Sequence, residues 1–473
     1  MSNKPDAELL RQFSAIVGDK YALTSDDDKA PFLREWRDRY EGQAALVLRP
    51  KNTAEISQIM ALANETDTPI VPQGGNTGLV GGQIPFEEGC EVVLSLTRLN
   101  QVRSVDPVGH VMVLEAGVTL ADAQEVATKA DRLFPLSLAA EGSCQIGGNL
   151  ASNAGGVNVL AYGNMRELCL GLEVVLADGR IWNGLRALKK DNTGYDLRDL
   201  FIGSEGTLGI ITAAVLKLFP RPREQASAFI GLKSLEDIGK LYTLATQSAG
   251  GQLTAFEIMP RMGLEFVVRH APNASDPLEA PHKWYALLEI SSLGGEGEAT
   301  SLMTRLLEDG FEKGLVSDAA LPSSLDQRNA IWALRERMSE AQKPEGGSIK
   351  HDISVPIKSI PDFITTANKA VTALVPDCRP CPFGHWGDGN IHYNISQPVG
   401  MDKQDFLDQW EQVSKCVHDI VMSFNGSISA EHGIGRLKRE MLQQVKDSIE
   451  LDMMRSIKQA LDPKGILNPG KLL

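Results

Sequence analysis

Between positions 44 and 72 the apolar residues pass from a short continuous run to a 3.6-residue period and back to a run. This pattern predicts a strand at 44–50, then a helix from 53 with Ile56, Ile59, Met60 and Leu62 as its apolar positions and Thr53 as its cap. A second strand follows at 69–72, completing a β-α-β start. Residues 73–82 then hold five glycines, but neither the G-x-G-x-x-G register of a dinucleotide turn nor the Gly-Lys-Ser/Thr ending of a phosphate loop. A further strand-and-helix segment, 111–129, leads to a second stretch of small residues at 147–156. Residues 172–181 read as a hairpin around Asp178-Gly179, and 199–212 set a third glycine-bearing turn before a β-branched run.

Pro220-Arg221-Pro222-Arg223 punctuates the chain, and a boundary is expected there because Pro-rich charged links carry few contacts. Beyond it, strands are predicted at 229–232, 253–259, 284–290 and 348–353, with helices at 235–246, 298–307, 326–341 and 440–460. The tail 462–471 is rich in Pro, Gly and Asn yet carries Ile466 and Leu467, so it is expected to dock. That boundary divides the chain near residue 222.

The densest chemistry lies at 384–394, where Asp388-Gly389 predicts a two-residue hairpin turn with both turn residues at positive φ. Counting outward pairs Gly387 with Asn390, Trp386 with Ile391 and His385 with His392, whose Cβ atoms would lie about 5 Å apart. Two imidazoles so placed can share a metal, and Asn394 points into the same space. Ser429-Ala430-Glu431-His432-Gly433 offers a carboxylate and another imidazole to complete the set. The plain alternative is an ordinary turn with solvated or core histidines. Arg335 and Ser339 lie four apart on one helix face, and Arg335 with Lys350 could clamp an anionic substrate. Spacing alone favours solvated charges at those positions.

A chain of 473 residues implies two or three domains. Its formal net charge of −14 excludes a broad basic surface for nucleic acid. No apolar run reaches spanning length and no apolar signal region opens the chain, so no transmembrane segment and a cytoplasmic location are expected. Six cysteines suit reduced thiols, and Cys378-Arg379-Pro380-Cys381 is a lone CxxC in a Pro-rich stretch. The two glycine-rich stretches change the picture most. Small residues let backbone amides approach a pyrophosphate closely, which points to a dinucleotide ligand.

The stretches 72–82 and 147–156, the Gly203-Ser204-Glu205-Gly206-Thr207-Leu208-Gly209 turn and the Asn468-Pro469-Gly470-Lys471 tail resemble FAD-binding flavoenzymes of the vanillyl-alcohol-oxidase type, over nearly the whole chain. The 385–394 segment with Glu431-His432-Gly433 narrows the resemblance to D-2-hydroxyacid dehydrogenases. It implies an α+β fold: a PCMH-type FAD-binding domain of two α/β subdomains over 1–222, an α+β substrate-binding cap over 223–425, and a C-terminal helical segment over 426–473 that returns to the FAD domain.

By the same resemblance FAD is held by Pro72, Gly74, Gly75, Asn76, Thr77, Gly78, Leu79, Gly82, Ser143, Gly147, Gly148, Ala151, Asn153, Gly155, Gly156, Glu205, Gly209, Ile211 and Asn468. Asn76 stands where covalent flavoenzymes often carry a histidine, so non-covalent FAD is expected. His385, His392 and Glu431 are implied to bind one divalent metal, usually zinc. His432 is the implied base, and Arg335, Ser339, Lys350, Asn394 and His432 the implied substrate contacts. Oxidation of a small 2-hydroxyacid needs a base, a charge to stabilise the alkoxide and a hydride acceptor, and these residues and FAD N5 match the three roles. D-2-hydroxyglutarate is the implied substrate, with D-lactate or D-malate as the alternative. Electron-transfer flavoprotein or a quinone is the implied acceptor, and a homodimer is left open. A zinc hydrolase and a catalytically idle flavin subunit are the competing readings.

Overall fold

A computed structural model describes residues 4–473, which divide into two units: the first takes residues up to Gly155, Gly163–Arg221 and His432–Leu473, the second Gly156–Tyr162 and Pro222–Glu431. The chain thus leaves the first unit at Arg221 and re-enters it between Glu431 and His432, so the expected closing segment 426–473 divides at that bond.

In the first unit the β-α-β start forms as Leu46–Leu48, the helix Thr53–Glu65 and Ile70–Gln73. Ile56, Ile59, Met60 and Ala63 are buried along one helix face. The helix cap is Asn52, not Thr53: the Asn52 side chain accepts from Glu55 N, and Thr53 is the first helical residue. Both strands pair in parallel with Val92–Ser95, and Ala22–Leu23 closes the edge of this four-stranded sheet. A second, antiparallel sheet has the order Val102–Asp106, Val111–Glu115, Ile210–Lys217, Cys169–Val175, Ile181–Gly184. The hairpin across Asp178-Gly179 lies in it, with Gly179 at φ 86°.

The second glycine-rich stretch begins as a short helix, Ile146–Ala151, where a loop was expected. The predicted helix 440–460 is two helices, Arg439–Val445 and Ser448–Leu461. Lys446 is extended (ψ 143°) and Asp447 caps the second helix by accepting from Ile449 N. The tail docks as expected. Ile70 N donates to Ile466 O and Asn468 N to Ile70 O, both at 2.8 Å, and the fully buried Lys471 ammonium meets Glu91 at 2.8 Å.

The second unit is built on a seven-stranded antiparallel sheet, in the order Asp318–Ala320, Glu224–Leu232, Trp284–Ser292, Leu253–Pro260, Arg379–His385, Asn390–Ser396, Ser348–Ser354. One face packs on the helices Leu235–Ala249, Glu298–Glu312, Ile360–Leu374 and Trp410–Ser423 through residues such as Ile349, Ile353, Ile391 and Ile395. The other face is covered by Arg261–His270 and by Leu325–Glu336 followed by Met338–Ala341. The last two were expected as one helix. Arg337, at φ −82° and ψ −3°, interrupts it between Arg335 and Ser339. Among the described residues no helix is long and apolar enough to cross a membrane.

Glu345 ties the covering helices to the sheet, accepting from Arg269 and Arg379 at 2.6 Å and from His270 at 2.7 Å. Burial opposes its charge, but His270, Arg379 and Arg269 together hold its carboxyl down at about 2. A depressed carboxyl stabilises the fold above its ordinary pKa of 4.5 and loses that contribution as pH falls toward about 2. In urea denaturation followed across pH, Glu345→Gln is expected to be less stable than wild type above pH 4.5, with the gap closing between there and about pH 2.

Candidate active site

Period-two alternation sets the chemistry of the second unit. In the strand Asn390–Ser396, Ile391, Tyr393 and Ile395 enter the helix-backed core, which leaves Asn390, His392 and Asn394 on the opposite face. Lys350 pairs with Asn394 and Asp352 with His392 across the neighbouring strand, so both join that face. The apolar alternation therefore delivers a row of polar side chains to one surface.

The hairpin register differs from the sequence expectation. His385 pairs with Asn390, and Phe383, not His385, lies opposite His392. A tighter turn would have required positive φ at Asp388. Instead Trp386–Asp388 winds into a single 3₁₀ turn and Gly389 alone takes φ 83°. The loop is two residues longer than a primed turn, and the histidines become diagonal neighbours on one face with ring centroids 5.5 Å apart.

A nitrogen from His385, one from His392 and a Glu431 carboxylate oxygen all lie within 4.8 Å of one another. Two imidazoles and a carboxylate form a donor set suited to zinc. The imidazole of His385 is already aimed: Nδ1 meets Glu257 Oε1 at 2.6 Å, and Nε2 faces Glu431 Oε1 at 3.6 Å. A carboxylate behind a histidine ligand fixes the ring and its tautomer in this way. Asp352 backs the other two ligands. One of its oxygens accepts from Glu431 N at 2.9 Å, and the other accepts from Asn390 Nδ2 at 2.9 Å and lies 4.0 Å from His392 Nδ1. Burial alone would lower the His385 imidazole, but Glu257 overrides it and lifts it to about 9, while burial raises Glu431 to about 7. The donors thus fit a divalent cation, whose charge would take the place of the imidazolium's.

Arg335 reaches the same network. It is 7% exposed, its Nε donates to Glu257 Oε2 at 2.6 Å, and its guanidinium carbon lies 4.9 Å from the Phe383 ring centroid. Its Nη2 is buried without a hydrogen-bond partner. Lys350 Nζ donates to Ser339 O at 2.9 Å and to Ser339 Oγ at 3.0 Å. Arg335, Ser339, Lys350 and Asn394 are therefore part of one sheet-and-helix layer, not solvated surface charges. Glu257 and Asp352 were missed by sequence reading. The signal for Glu257 was a lone acid inside the apolar strand Leu253–Pro260.

In the first unit Pro72, Gly74, Gly75, Asn76, Thr77, Gly78, Gly82, Gly147, Gly148, Ala151, Glu205, Gly209, Ile211 and Asn468 line one cleft, together with His432. Leu79, Ser143, Asn153 and Gly155 lie outside its lining, and Gly156 belongs to the second unit. Ser143 and Asn153 have packing duties. A Cβ on Gly75 would fall 1.8 Å from Ser143 O, and Asn153 Oδ1 accepts from Arg166 N. Gly148 has no atom within 4 Å of where its Cβ would stand, so the cleft floor is open above it. Buried Gln145 Oε1 and Asn468 Oδ1, both at the cleft, have no partner. Open glycine and orphaned polar atoms fit a large polar ligand such as FAD.

Glu205, at φ 52°, ties the turn that bears it to the returning chain: its two oxygens accept from Ile434 N and Gly435 N at 2.7 Å, just after His432. Burial raises its carboxyl, opposed by those two amides. Asn76 spends its amide on Pro31 O and Arg34 O and accepts from Gln83.

Residues 221–472 match the family described as FAD linked oxidases, C-terminal domain, and residues 44–184 match FAD binding domain. The chain is 36% identical to a D-2-hydroxyglutarate–pyruvate transhydrogenase of Saccharomyces cerevisiae, over 99% of this chain and 95% of that protein. It is 39% identical to a mitochondrial D-2-hydroxyglutarate dehydrogenase of Rattus norvegicus, over 98% of this chain and 85% of the relative. A solved structure of p-cresol methylhydroxylase superposes with a TM-score of 0.76 at 15% identity, covering 98% of this chain and 96% of that one, which shows a shared fold. The cytoplasmic expectation does not stand, since the rat relative is named a mitochondrial protein, and the charge and hydropathy of a folded chain do not fix its compartment. With a family match across its C-terminal half and relatives aligned along nearly its full length, the chain belongs to the FAD-linked oxidases of the vanillyl-alcohol-oxidase type, in their D-2-hydroxyacid dehydrogenase branch.

Proposed function

We propose that the protein oxidises D-2-hydroxyglutarate at its α-carbon to 2-oxoglutarate, with D-lactate or D-malate as the second reading. The observation that carries the choice of a dicarboxylate is Arg335, whose Nη2 is buried and unpaired on the sheet face that bears the candidate metal ligands. A buried donor without a partner costs about 1–3 kcal/mol, and a substrate carboxylate supplies that partner. Lys350, held by Ser339 and set across from Asn394, offers a second cation for the other carboxylate. Lactate brings only one carboxylate, so it leaves one of these groups unmatched.

His432, joined directly to Glu431 in the chain, takes the hydroxyl proton on an imidazole nitrogen. Glu205 supports that role by holding the amides of Ile434 and Gly435. FAD, when bound, supplies the acceptor for the hydride that leaves the α-carbon. A divalent cation on His385, His392 and Glu431, zinc by its donor set, supplies positive charge for the substrate oxygen. The FAD is non-covalent in this reading, because an amide at Asn76 offers no nucleophilic nitrogen. Electrons leave to electron-transfer flavoprotein or a quinone. The yeast relative's name favours a second possibility, a 2-oxoacid such as pyruvate as oxidant.

Acid precipitation of the purified protein is expected to release its flavin into the supernatant, and colour retained in the pellet would contradict non-covalent binding. Chelation should abolish dye reduction while the flavin absorbance stays with the protein, with activity restored by zinc; full turnover in metal-free protein would remove the metal's role. On a panel of D-2-hydroxyglutarate, D-lactate and D-malate, Arg335→Ala is expected to lower kcat/KM for the five-carbon dicarboxylate by on the order of 100-fold and for lactate far less. His432→Ala should slow every substrate alike. Equal losses in Arg335→Ala, or a wild-type preference for lactate, would move the enzyme to the second reading.

A further inference from the structure

Glu257 stands on the central strand Leu253–Pro260, directly across from His385 in the sheet. Its side chain is completely buried, and its two oxygens are used separately: Oε1 accepts from His385 Nδ1 and Oε2 from Arg335 Nε, each at 2.6 Å. One carboxylate therefore grips the back of a metal-ligand imidazole and the back of a guanidinium whose Nη2 is left open. Each bond selects an orientation. Acceptance at Nδ1 leaves Nε2 of His385 for the cation, and acceptance at Nε fixes the plane of the Arg335 guanidinium with Nη2 unpaired.

We propose that Glu257 is a positioning residue that serves the metal site and the carboxylate clamp at once, so that a single buried side chain sets both the cation's affinity and the enzyme's grip on a dicarboxylate. The inference rests on the metal and clamp reading given above. A Glu257 that only held the fold together would affect stability and leave both of those properties alone. Glutamine keeps the size of the side chain but replaces one acceptor oxygen with an NH2 donor. It can accept from His385 or from Arg335, and it opposes the other.

The test uses the full chain with its flavin. Zinc affinity is measured by competition with a chromophoric chelator in wild type and Glu257→Gln, alongside flavin content, thermal midpoint and kinetics on D-2-hydroxyglutarate and D-lactate. Zinc binding is expected to weaken by roughly 10- to 100-fold, the range for loss of a carboxylate behind a histidine ligand, with flavin content unchanged. With zinc saturating, kcat should recover while KM for the dicarboxylate stays about tenfold high, the size of one misdirected charge-assisted hydrogen bond, and KM for lactate stays near wild type. Should the glutamine variant not accumulate, Glu257→Asp, which keeps the charge and shortens its reach, must weaken zinc in the same direction. Wild-type zinc affinity in whichever variant folds overturns the positioning role and leaves the metal reading intact. Failure of the wild-type chain itself to bind zinc overturns both.

Discussion

A carboxylate removed from water on all sides persists as an anion only if donors or cations take up its lone pairs, and Glu257 is such a carboxylate. Two groups answer it, His385 from the adjacent strand and Arg335 from the covering helix, and against burial they hold its carboxyl below the ordinary range. Much of the second unit's chemistry depends on this arrangement. The imidazole is turned so that its other nitrogen faces Glu431, and the guanidinium is fixed edge-on with one nitrogen free of any partner. Breaking one side of such a buried set leaves an uncompensated charge, which typically costs 3–5 kcal/mol.

The first unit solves a different problem by a different means. A large polar ligand needs backbone close to it, and backbone comes close only where side chains are absent. Gly75 lies over Ser143 O with no room for a methyl group, while Gly148 opens freely into the cleft. The tail closes this unit by backbone hydrogen bonds to Ile70, and Asn468 Nδ2 bonds Gly82 O and Glu205 O. Asn468 thus joins the stretch that ends at Gly82 to the turn at Glu205, and this turn holds the third stretch, since Gly203 N and Glu205 N donate to Leu150 O and Ala151 O.

The bond between Glu431 and His432 joins these two designs. Glu431 is anchored through its own amide to Asp352 in the second unit, and the two residues after Gly433 are anchored through theirs to Glu205 in the first. In each case a carboxylate from elsewhere in the unit captures backbone N–H groups, which fixes the main chain without engaging the side chains of Glu431 and His432.

Alternation and composition made much of this protein legible from its residues alone. Glycine clusters marked the cleft, the 3.6-residue period marked the helix after Leu46–Leu48, and the histidines at 385 and 392 with Glu431 marked a donor set, because each of these signals is local or chemically rare. Tertiary structure decided the rest. Whether Asp388-Gly389 closes a two-residue turn or a 3₁₀ turn depends on how both strands pair with their outer neighbours, and that choice moved His385 from opposite His392 to opposite Asn390. Arg337 interrupts one predicted helix and Lys446 another, at positions where a propensity difference of well under 1 kcal/mol per residue leaves the sequence little say. A lone acid in the apolar strand Leu253–Pro260 set Glu257 apart, but its partners lie 78 and 128 positions away, and nothing along the chain encodes that a sheet and a helix will bring them to either side of one carboxylate.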